Sequence, residues 1–375
     1  MKKIRVLHIL SDTNIGGAGR LLFNLSESID KSRFEFIFVF PEGSKLLELF
    51  KNQGSLYCYS GKGDKSFDIQ SIIQIKKIIK KTSPDIIHTH SSLSGRIAAV
   101  MCGIKRERIV YTKHCVFDMP DYKKSGFCRK IYRFFDNLLA GSVIAVAKSA
   151  QNELINTGVD SRKITVIING SLPQKRISNK EKNELKNTLG INENDFVVGM
   201  CARLEEYKGH KTFIEAASLS KTDNQNIKFI IVGDGSQRDA LKAQVRELDL
   251  EDRVIFTGFV YNASDYMNIF DLNINCSTGT ETSCLAISEG LSLGIPAIAS
   301  DFGGNPDMII NGLTGFIFKK NNSMQLYTTI KNLKNSPEIV DIMKENAIED
   351  FNNRFSAPKM AKSYEEFYIN IESDS

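Results

Sequence analysis

Apolar and polar positions divide the chain into short apolar runs separated by longer amphipathic stretches. In the first half, runs with the length of buried strands comprise residues 4–10, 34–40, 85–90, 108–114 and 142–147. In the second half they comprise residues 195–202, 227–234, 253–259, 272–277 and 295–300. Helical spacing is found between them, for example in residues 19–29, 69–81, 211–219 and 237–248. Strands that alternate with helices predict parallel sheets with right-handed crossovers.

A polar and charged stretch, residues 171–190, separates the two sets of strands. We place the linker near residues 173–178 and predict an α/β protein of two Rossmann-like domains, each with a doubly wound parallel sheet. The predicted domains are residues 1–177 and 178–355, facing each other across a deep cleft, and a final helix at about 356–375 is predicted to pack back on the first. Because doubly wound sheets bind ligands at the carboxyl ends of their strands, the ligand is expected in the cleft.

Charge is divided unevenly between the halves. Residues 1–178 carry a formal net charge of +14 and the remainder −9. The basic half favours an anionic partner for the first domain: nucleic acid, anionic lipid or a phosphorylated substrate. The seven cysteines are scattered without paired CxxC spacing, which is typical of the reducing cytoplasm and argues against a zinc site. No run approaches the ~18 apolar residues of a transmembrane helix, so none is expected.

Glycine-containing turns follow several predicted strands. The first, LSDTNIGGAGR, would place Gly16 and Gly17 at a helix N-terminus, where backbone N–H groups favour a phosphate; a tight turn without a ligand is the alternative. The full dinucleotide fingerprint is absent, so NAD is disfavoured. Turns at Gly233 and before Phe259 would bring the backbone to a nucleobase edge, although ordinary turn chemistry explains each equally well.

Two cations follow the first strand of the second half, in CARLEEYKGH. Arg203 and Lys208 would lie near the carboxyl edge of the sheet, where they could neutralise a diphosphate. The alternative is that both are ordinary solvated surface residues.

Two glutamates flank the start of an apolar helix in TETSCLAISEGLSL. Ser283 is predicted to cap a helix that begins near Leu285, with Glu281 in the preceding loop and Glu289 about two turns along. A buried carboxylate needs hydrogen-bond donors, and sugar hydroxyls supply them. The N–H groups near Cys284–Ala286 could donate hydrogen bonds to a phosphate. A capping role alone would explain Glu281 but not Glu289.

Residues 121–139 form a predicted basic amphipathic helix. Arg129, Lys130 and Arg133 share one face, and apolar residues share the other. Such a helix favours a membrane surface or an anionic acceptor, while an ordinary helix with a solvated basic face is an equal alternative. Together with the basic first half, it favours a cytoplasmic protein attached to the inner face of the membrane.

Spaced motifs in both halves resemble the retaining glycosyltransferases of family 4, which have the GT-B fold. ETSCLAISE has the family's E-x7-E spacing, and RLEEYKG, GIPAIASDFGGNPDMI and NGLTGFIF resemble further motifs. In the first half, GGAGR, DIIHTHS, YTKH and VIING occur in the family's order. The resemblance covers about residues 4–355. The sequence departs from the family at residues 282–284, where glycines are common, and at Asp307, where a glutamate is usual.

The resemblance implies a metal-independent, retaining glycosyltransferase without a cofactor. Glu289 would hold the ribose of a nucleotide sugar, and Glu281 the hydroxyls of the transferred sugar. Arg203 and Lys208 would hold the diphosphate, with Gly17 contributing from the other domain. The predicted donor site also includes Gly16, Gly233, Phe259, Cys284 and Leu285.

The histidines of the first half receive separate roles. The resemblance implies that His114 approaches the sugar, so that His114, Glu281, Arg203 and Lys208 form the catalytic set. His90 is predicted on the acceptor side, and His88 is predicted to be structural.

The predicted reaction moves a hexose or N-acetylhexosamine, from a UDP-sugar, to a sugar or lipid-linked acceptor for surface polysaccharide. An epimerase of the same fold would change a free nucleotide sugar without an acceptor. A binding protein would hold the donor and never release nucleotide. Nucleic acid is disfavoured because basic and aromatic residues do not interleave on a strand face.

Overall fold

The computed structural model describes residues 2–61, 65–90, 92–114, 137–223 and 226–373. These residues form two compact units. The N-terminal unit comprises Met1–Ser171 and Ala357–Ser375, and the C-terminal unit comprises Leu172–Ser356.

Each unit contains one sheet in which every paired strand is parallel to its neighbours. In the described part of the N-terminal unit the seven strands are β1 (Ile4–Leu10), β2 (Phe34–Pro41), β3 (Ser55–Tyr59), β4 (Ile86–His90), β5 (Ile109–Lys113), β6 (Ser142–Ala145) and β7 (Ile164–Val166). Among the described residues of the C-terminal unit the six strands are β8 (Phe196–Cys201), β9 (Ile227–Val232), β10 (Val254–Gly258), β11 (Leu272–Asn275), β12 (Ala297–Ser300) and β13 (Gly315–Phe318).

The helices connect successive strands. Those described are α1 (Gly17–Ser28), α2 (Leu46–Leu49), α3 (Ile69–Thr82), α4 (Leu93–Met101), α5 (Lys148–Thr157), α6 (Asn179–Thr188), α7 (His210–Thr222), α8 (Arg238–Glu247), α9 (Ala263–Met267), α10 (Leu285–Ser292), α11 (Asn305–Met308), α12 (Ser323–Lys334), α13 (Pro337–Asp350) and α14 (Ala357–Ser373). None of these described helices combines the length and the apolar character needed to cross a bilayer.

Both sheets are doubly wound. The strand orders are β3-β2-β1-β4-β5-β6-β7 and β10-β9-β8-β11-β12-β13, so the order reverses beside β1 and beside β8. Successive residues of β1 enter different cores, with Val6 packed in one apolar cluster and Leu7 in another. The two clusters carry helices on opposite faces of the sheet, which is why the central strands are apolar throughout.

The predicted linker packs on the C-terminal unit. The backbone N–H of Gln174 donates to Ser292 Oγ (3.1 Å), and the N–H of Ile177 donates to Asn268 Oδ1 (3.1 Å). Helix α6 then begins with a capping box between Ser178 and Glu181. The boundary between the units therefore follows Ser171, six residues before the predicted position.

The final helix belongs to the N-terminal unit. Its Met360, Tyr364 and Tyr368 are buried in the same apolar cluster as residues of β1 and β2. The N–H of Ala357 donates to the carbonyl of Ser171 (2.9 Å), so the chain re-enters this unit next to the point where it left.

Candidate active site

Glu281 is a buried carboxylate in the loop between β11 and α10, with 8% of its surface exposed. Its Oε2 accepts hydrogen bonds from Lys208 Nζ (2.9 Å), Asn275 Nδ2 (3.1 Å) and Ser277 Oγ (2.8 Å). Burial alone would raise the pKa of Glu281, but the charge of Lys208 and these bonds outweigh burial and lower it. Glu281 is therefore an ionised acceptor at neutral pH.

The arrangement leaves one carboxylate oxygen available. All three bonds converge on Oε2, and no described residue donates to Oε1. An ionised oxygen held in a fixed position is a strong acceptor for a hydroxyl group. Glu281 can therefore bind a sugar hydroxyl without losing its own partners.

Lys208 reaches Glu281 because a tight turn brings it to the end of β11. It closes a 3-10 turn, Glu206–Lys208, and the following Gly209 has a φ of +75°. A Cβ at Gly209 would lie 2.0 Å from the carbonyl oxygen of Cys276. Only glycine permits both this φ and this close approach.

A network of buried polar side chains holds the groups that donate to Glu281. Asn275 Oδ1 accepts hydrogen bonds from the Ser277 N–H (2.9 Å) and from Asn305 Nδ2 (3.3 Å). Asn305 Nδ2 also donates to Ser300 Oγ (3.1 Å). All four residues are buried, and they follow or end β11 and β12. The sequence analysis did not identify them, although polar residues at the ends of apolar strands were the available signal. Buried networks of this kind hold their members in one geometry.

Helix α10 begins at Leu285, as the sequence predicted, but Ser283 does not cap it. The N-cap residue is Cys284, and its side chain makes no capping hydrogen bond. Ser283 Oγ instead lies 3.8 Å from Met308 Sδ. The predicted cap is therefore wrong, because the chain before the helix turns Ser283 towards α11. A helix start that lacks a capping side chain remains suited to an anion.

Glu289 is half-buried on α10. Burial and then the negative charge of Glu289 raise the pKa of Cys201, which ends β8. Glu289 thus lies close to the carboxyl end of the central strand.

Arg203 lies just beyond the same strand and is exposed. Its guanidinium donates to the hydroxyl of Tyr207 (2.8 Å). Arg203 and Lys208 therefore both lie at the carboxyl edge of the sheet, but Lys208 is half-buried and ion-paired with Glu281, while Arg203 faces solvent.

Gly233 and Phe259 follow β9 and β10, at the same edge. Gly233 has a φ of +143°, and a Cβ there would lie 2.1 Å from the carbonyl oxygen of Ala202, so the position requires glycine. Phe259 is 68% exposed and forms an edge contact with Tyr261, which is 90% exposed, at 5.2 Å between ring centroids. Exposed aromatic rings at a ligand-binding edge are suited to stacking on a base. Tyr261 was not identified from the sequence.

In the N-terminal unit, Gly16 and Gly17 are exposed at the start of α1, and Gly16 is its N-cap. A Cβ at either position would meet nothing within 4 Å. Packing therefore does not demand glycine there, and the open backbone is accessible to a ligand.

His114 follows β5 and is half-buried. Its Nε2 lies 2.9 Å from Nδ1 of His90, whose Nε2 lies 3.1 Å from Nδ1 of His8. His90 is fully buried, and both of its ring nitrogens bond to other histidines. His88 is also buried, bonded to Tyr368 and Thr112 at 2.6 Å each. His8 was missed because a lone histidine in an apolar strand gives no sequence signal.

The predicted acceptor-side residues Arg129, Lys130 and Arg133 lie outside the described residues, as does most of the predicted helix 121–139.

Two family models match the chain. The model described as glycosyltransferase family 4 matches residues 15–171, and the model described as glycosyl transferases group 1 matches residues 181–350. Together they span most of the sequence.

The chain is also similar to characterised proteins along nearly its whole length. The UDP-Gal:alpha-D-GlcNAc-diphosphoundecaprenol alpha-1,3-galactosyltransferase of Escherichia coli is 27% identical, with 98% of this chain and 97% of the relative covered. The alpha-monoglucosyldiacylglycerol synthase of Acholeplasma laidlawii is 26% identical, with 95% and 94% covered. A crystal structure of Anabaena HepE in complex with UDP-glucose has a TM-score of 0.83 at 22% identity, covering 98% of this chain and 100% of that chain. This likeness confirms the fold.

Proposed function

We propose a donor, an acceptor and a stereochemical course for this chain. The chain belongs to the glycosyl transferases of group 1, has the GT-B fold and is a glycosyltransferase. It transfers a hexose or N-acetylhexosamine from a UDP-sugar to a sugar or lipid-linked acceptor, with retention of configuration. The observation that carries the donor site is the Lys208–Glu281 pair, in which three donors hold Oε2 and no described residue donates to Oε1.

The C-terminal unit is the donor-binding unit in this proposal. Glu281 accepts hydrogen bonds from the hydroxyls of the transferred sugar, and Glu289 accepts those of the ribose. Lys208 and Arg203 neutralise the diphosphate, assisted by the uncapped N-terminus of α10. Phe259 stacks on the base. The choice of UDP is supported by a relative named for UDP-Gal and by a neighbour bound to UDP-glucose.

The proposed mechanism depends on stabilisation of the diphosphate leaving group. Negative charge develops on the departing diphosphate, and the two cations stabilise it without a metal ion. Glu281 is held on one oxygen by three donors, which suits an acceptor of hydroxyl groups better than a covalent nucleophile. We therefore propose front-face attack, in which the leaving phosphate takes the proton of the acceptor hydroxyl.

The N-terminal unit binds the acceptor in this proposal, with His114 as its contact to a sugar substrate. Two relatives support a lipid-linked acceptor, since one is named for a diphosphoundecaprenol substrate and another for a diacylglycerol product. The net charge of +14 in residues 1–178 suits an anionic lipid carrier and a peripheral position on the inner face of the membrane.

Thermal shift with UDP, GDP, ADP, CMP and NAD tests the donor site. UDP should stabilise the native protein, and Glu289→Ala should weaken this effect. Glu247→Ala, at an exposed position on α8, is the control and should respond like the native protein. Stabilisation by NAD alone, or a full UDP response in Glu289→Ala, would overturn the assignment.

Activity is tested with UDP-galactose, UDP-glucose and UDP-GlcNAc, each with and without GlcNAc-diphosphoundecaprenol. Release of UDP that depends on the acceptor, with an α-linked product by NMR, supports the proposal. Conversion of the nucleotide sugar into an epimer without release of UDP would instead identify an epimerase.

A further inference from the structure

Three histidines form a continuous hydrogen-bonded row from the core of the N-terminal unit to the end of β5. His8 Nδ1 lies 3.1 Å from His90 Nε2, and His90 Nδ1 lies 2.9 Å from His114 Nε2. His8 and His90 are fully buried, while His114 is partly exposed. We call His8, His90 and His114 the histidine row.

We propose that His8 and His90 are positioning residues that fix the ring orientation and the tautomer of His114. This inference rests on the proposed function only in treating His114 as a contact to substrate. Neither His8 nor His90 touches substrate in this scheme, and both act through His114.

The hydrogen-bond pattern allows two states of the row. Burial lowers the pKa of His8 and His90 well below the usual range and that of His114 to about 4, so all three rings are neutral at pH 7. A neutral imidazole has one N–H and one acceptor nitrogen. The three protons must therefore all be on Nδ1 or all on Nε2, and the tautomer of one ring determines the others.

The inner end of the row favours the Nδ1–H state. His8 Nε2 is buried and has no hydrogen-bond partner among the described residues. In the Nε2–H state this position would be a buried donor without an acceptor, which proteins tolerate less well than a buried acceptor without a donor. In the Nδ1–H state His114 accepts from His90 and presents its own Nδ1–H, to which no other described residue bonds. His114 would then be a hydrogen-bond donor to a sugar oxygen.

A second set of contacts prevents the middle ring from turning. His88 stacks on His90 with 4.3 Å between ring centroids. His88 is itself held by Thr112 on β5 and Tyr368 on α14. The final helix therefore supports the row through His88, although none of its residues is part of the row.

A buried metal ion is the competing use of these side chains. His8, His88 and His90 each offer a ring nitrogen within 4.8 Å of the others. However, both ring nitrogens of His88 and of His90 already have hydrogen-bond partners. Of the six ring nitrogens in this group, only His8 Nε2 has no partner among the described residues. A metal would have to replace hydrogen bonds that are already satisfied.

The tautomer can be read directly from ring ¹⁵N chemical shifts in full-length protein labelled at histidine, at pH 7.5 and without substrate. We expect His114 in the Nδ1–H form, which free histidine disfavours. His8→Phe keeps a ring but removes the donor to His90, so it should move His114 to the Nε2–H form. His8→Asn retains a polar group near the Nδ1 position and should restore the Nδ1–H form.

His88→Phe is the matched control, because it alters the same core without breaking the row, and His114 should keep its tautomer. An Nε2–H form of His114 in the native protein would overturn the inference, as would a His114 signal unchanged by His8→Phe or stoichiometric metal in the purified protein. These spectra require no activity, so they separate the failure of this inference from the failure of the proposed function. With active protein, His8→Phe should lower kcat about tenfold, because one hydrogen bond from His114 is lost, and leave the donor KM unchanged.

Discussion

Lys208 and Glu281 form an ion pair of 2.9 Å across 73 positions of sequence, and only 18% and 9% of their side-chain surfaces are exposed. Each residue was predicted from a separate motif, Lys208 to bind the diphosphate and Glu281 to bind the hydroxyls of the transferred sugar. Their pairing joins the diphosphate-binding cation and the hydroxyl-binding carboxylate into one electrostatic unit. Because each neutralises the other, the carboxylate can remain charged in a buried position.

Removing the lysine should leave an uncompensated buried carboxylate. Lys208→Met should lower the free energy of unfolding of the C-terminal unit by about 3–5 kcal/mol, the usual cost of breaking a buried pair. The matched control is Lys331→Met, whose pair with Asp223 is 39% and 37% exposed and should contribute much less because solvent screens it. Urea denaturation followed by circular dichroism compares them. Equal losses in the two variants would contradict a special role for the buried pair.

Acid should destabilise the N-terminal unit at a pH set by its histidines. Burial lowers the pKa of His8, His88 and His90 far below 6.5, and that of His114 to about 4. The unfolded chain therefore binds more protons than the fold once the pH falls below the unfolded pKa. This stability is fully present above about pH 6.5 and is lost as the pH falls towards 4.

Thermal unfolding from pH 8 to 4.5 measures the effect. The lowered pKa of Glu281 adds its own loss only below its ordinary value of 4.5, so the two contributions are separable. His8→Gln should give a shallower decline than the native protein. A melting temperature that stays constant between pH 7.5 and 5 would show that the histidines do not contribute in this way.

The strands that the sequence failed to predict are edge strands. β3 and β7 end the first sheet, and β13 ends the second. Their residues are partly exposed and so lack the continuous apolar run by which the central strands were recognised. The central strands were predicted to within about two residues because burial on both faces forces nearly every position to be apolar.

The residues of the candidate site likewise divide into those that the sequence predicted and those that it did not. Glu281, Glu289 and Lys208 could be selected because charged residues are conspicuous beside apolar runs. His8 could not, because a single polar residue inside a strand becomes informative only when its neighbours across the sheet are known. His8, for example, reaches His90 because β1 pairs with β4 in a fixed register.

Phe259 offers a test of base recognition that does not disturb the fold. Its ring is 68% exposed, so Phe259→Ala should leave the melting temperature unchanged. Stacking of an aromatic ring on a base contributes about 1–3 kcal/mol, so the Kd for UDP should rise roughly 5- to 150-fold. Ile342→Ala removes a similarly exposed apolar side chain (61%) from α13 and should leave UDP binding unaltered. Calorimetric titration would decide, and an unchanged Kd in Phe259→Ala would remove the residue from the donor site.

Replacing Gly209 by alanine should have a larger effect than its positive φ alone would cause. Gly209 and Gly190 both have positive φ, +75° and +67°, so replacement by alanine should strain each by roughly 1 kcal/mol. At Gly190 the new Cβ would meet nothing within 4 Å, whereas at Gly209 it would lie 2.0 Å from the carbonyl oxygen of Cys276. The turn must then move away from β11 and carry Lys208 with it. Gly209→Ala should therefore lose UDP binding as well as stability, while Gly190→Ala should lose stability only. UDP binding that survives in Gly209→Ala would show that the donor site does not depend on the position of Lys208.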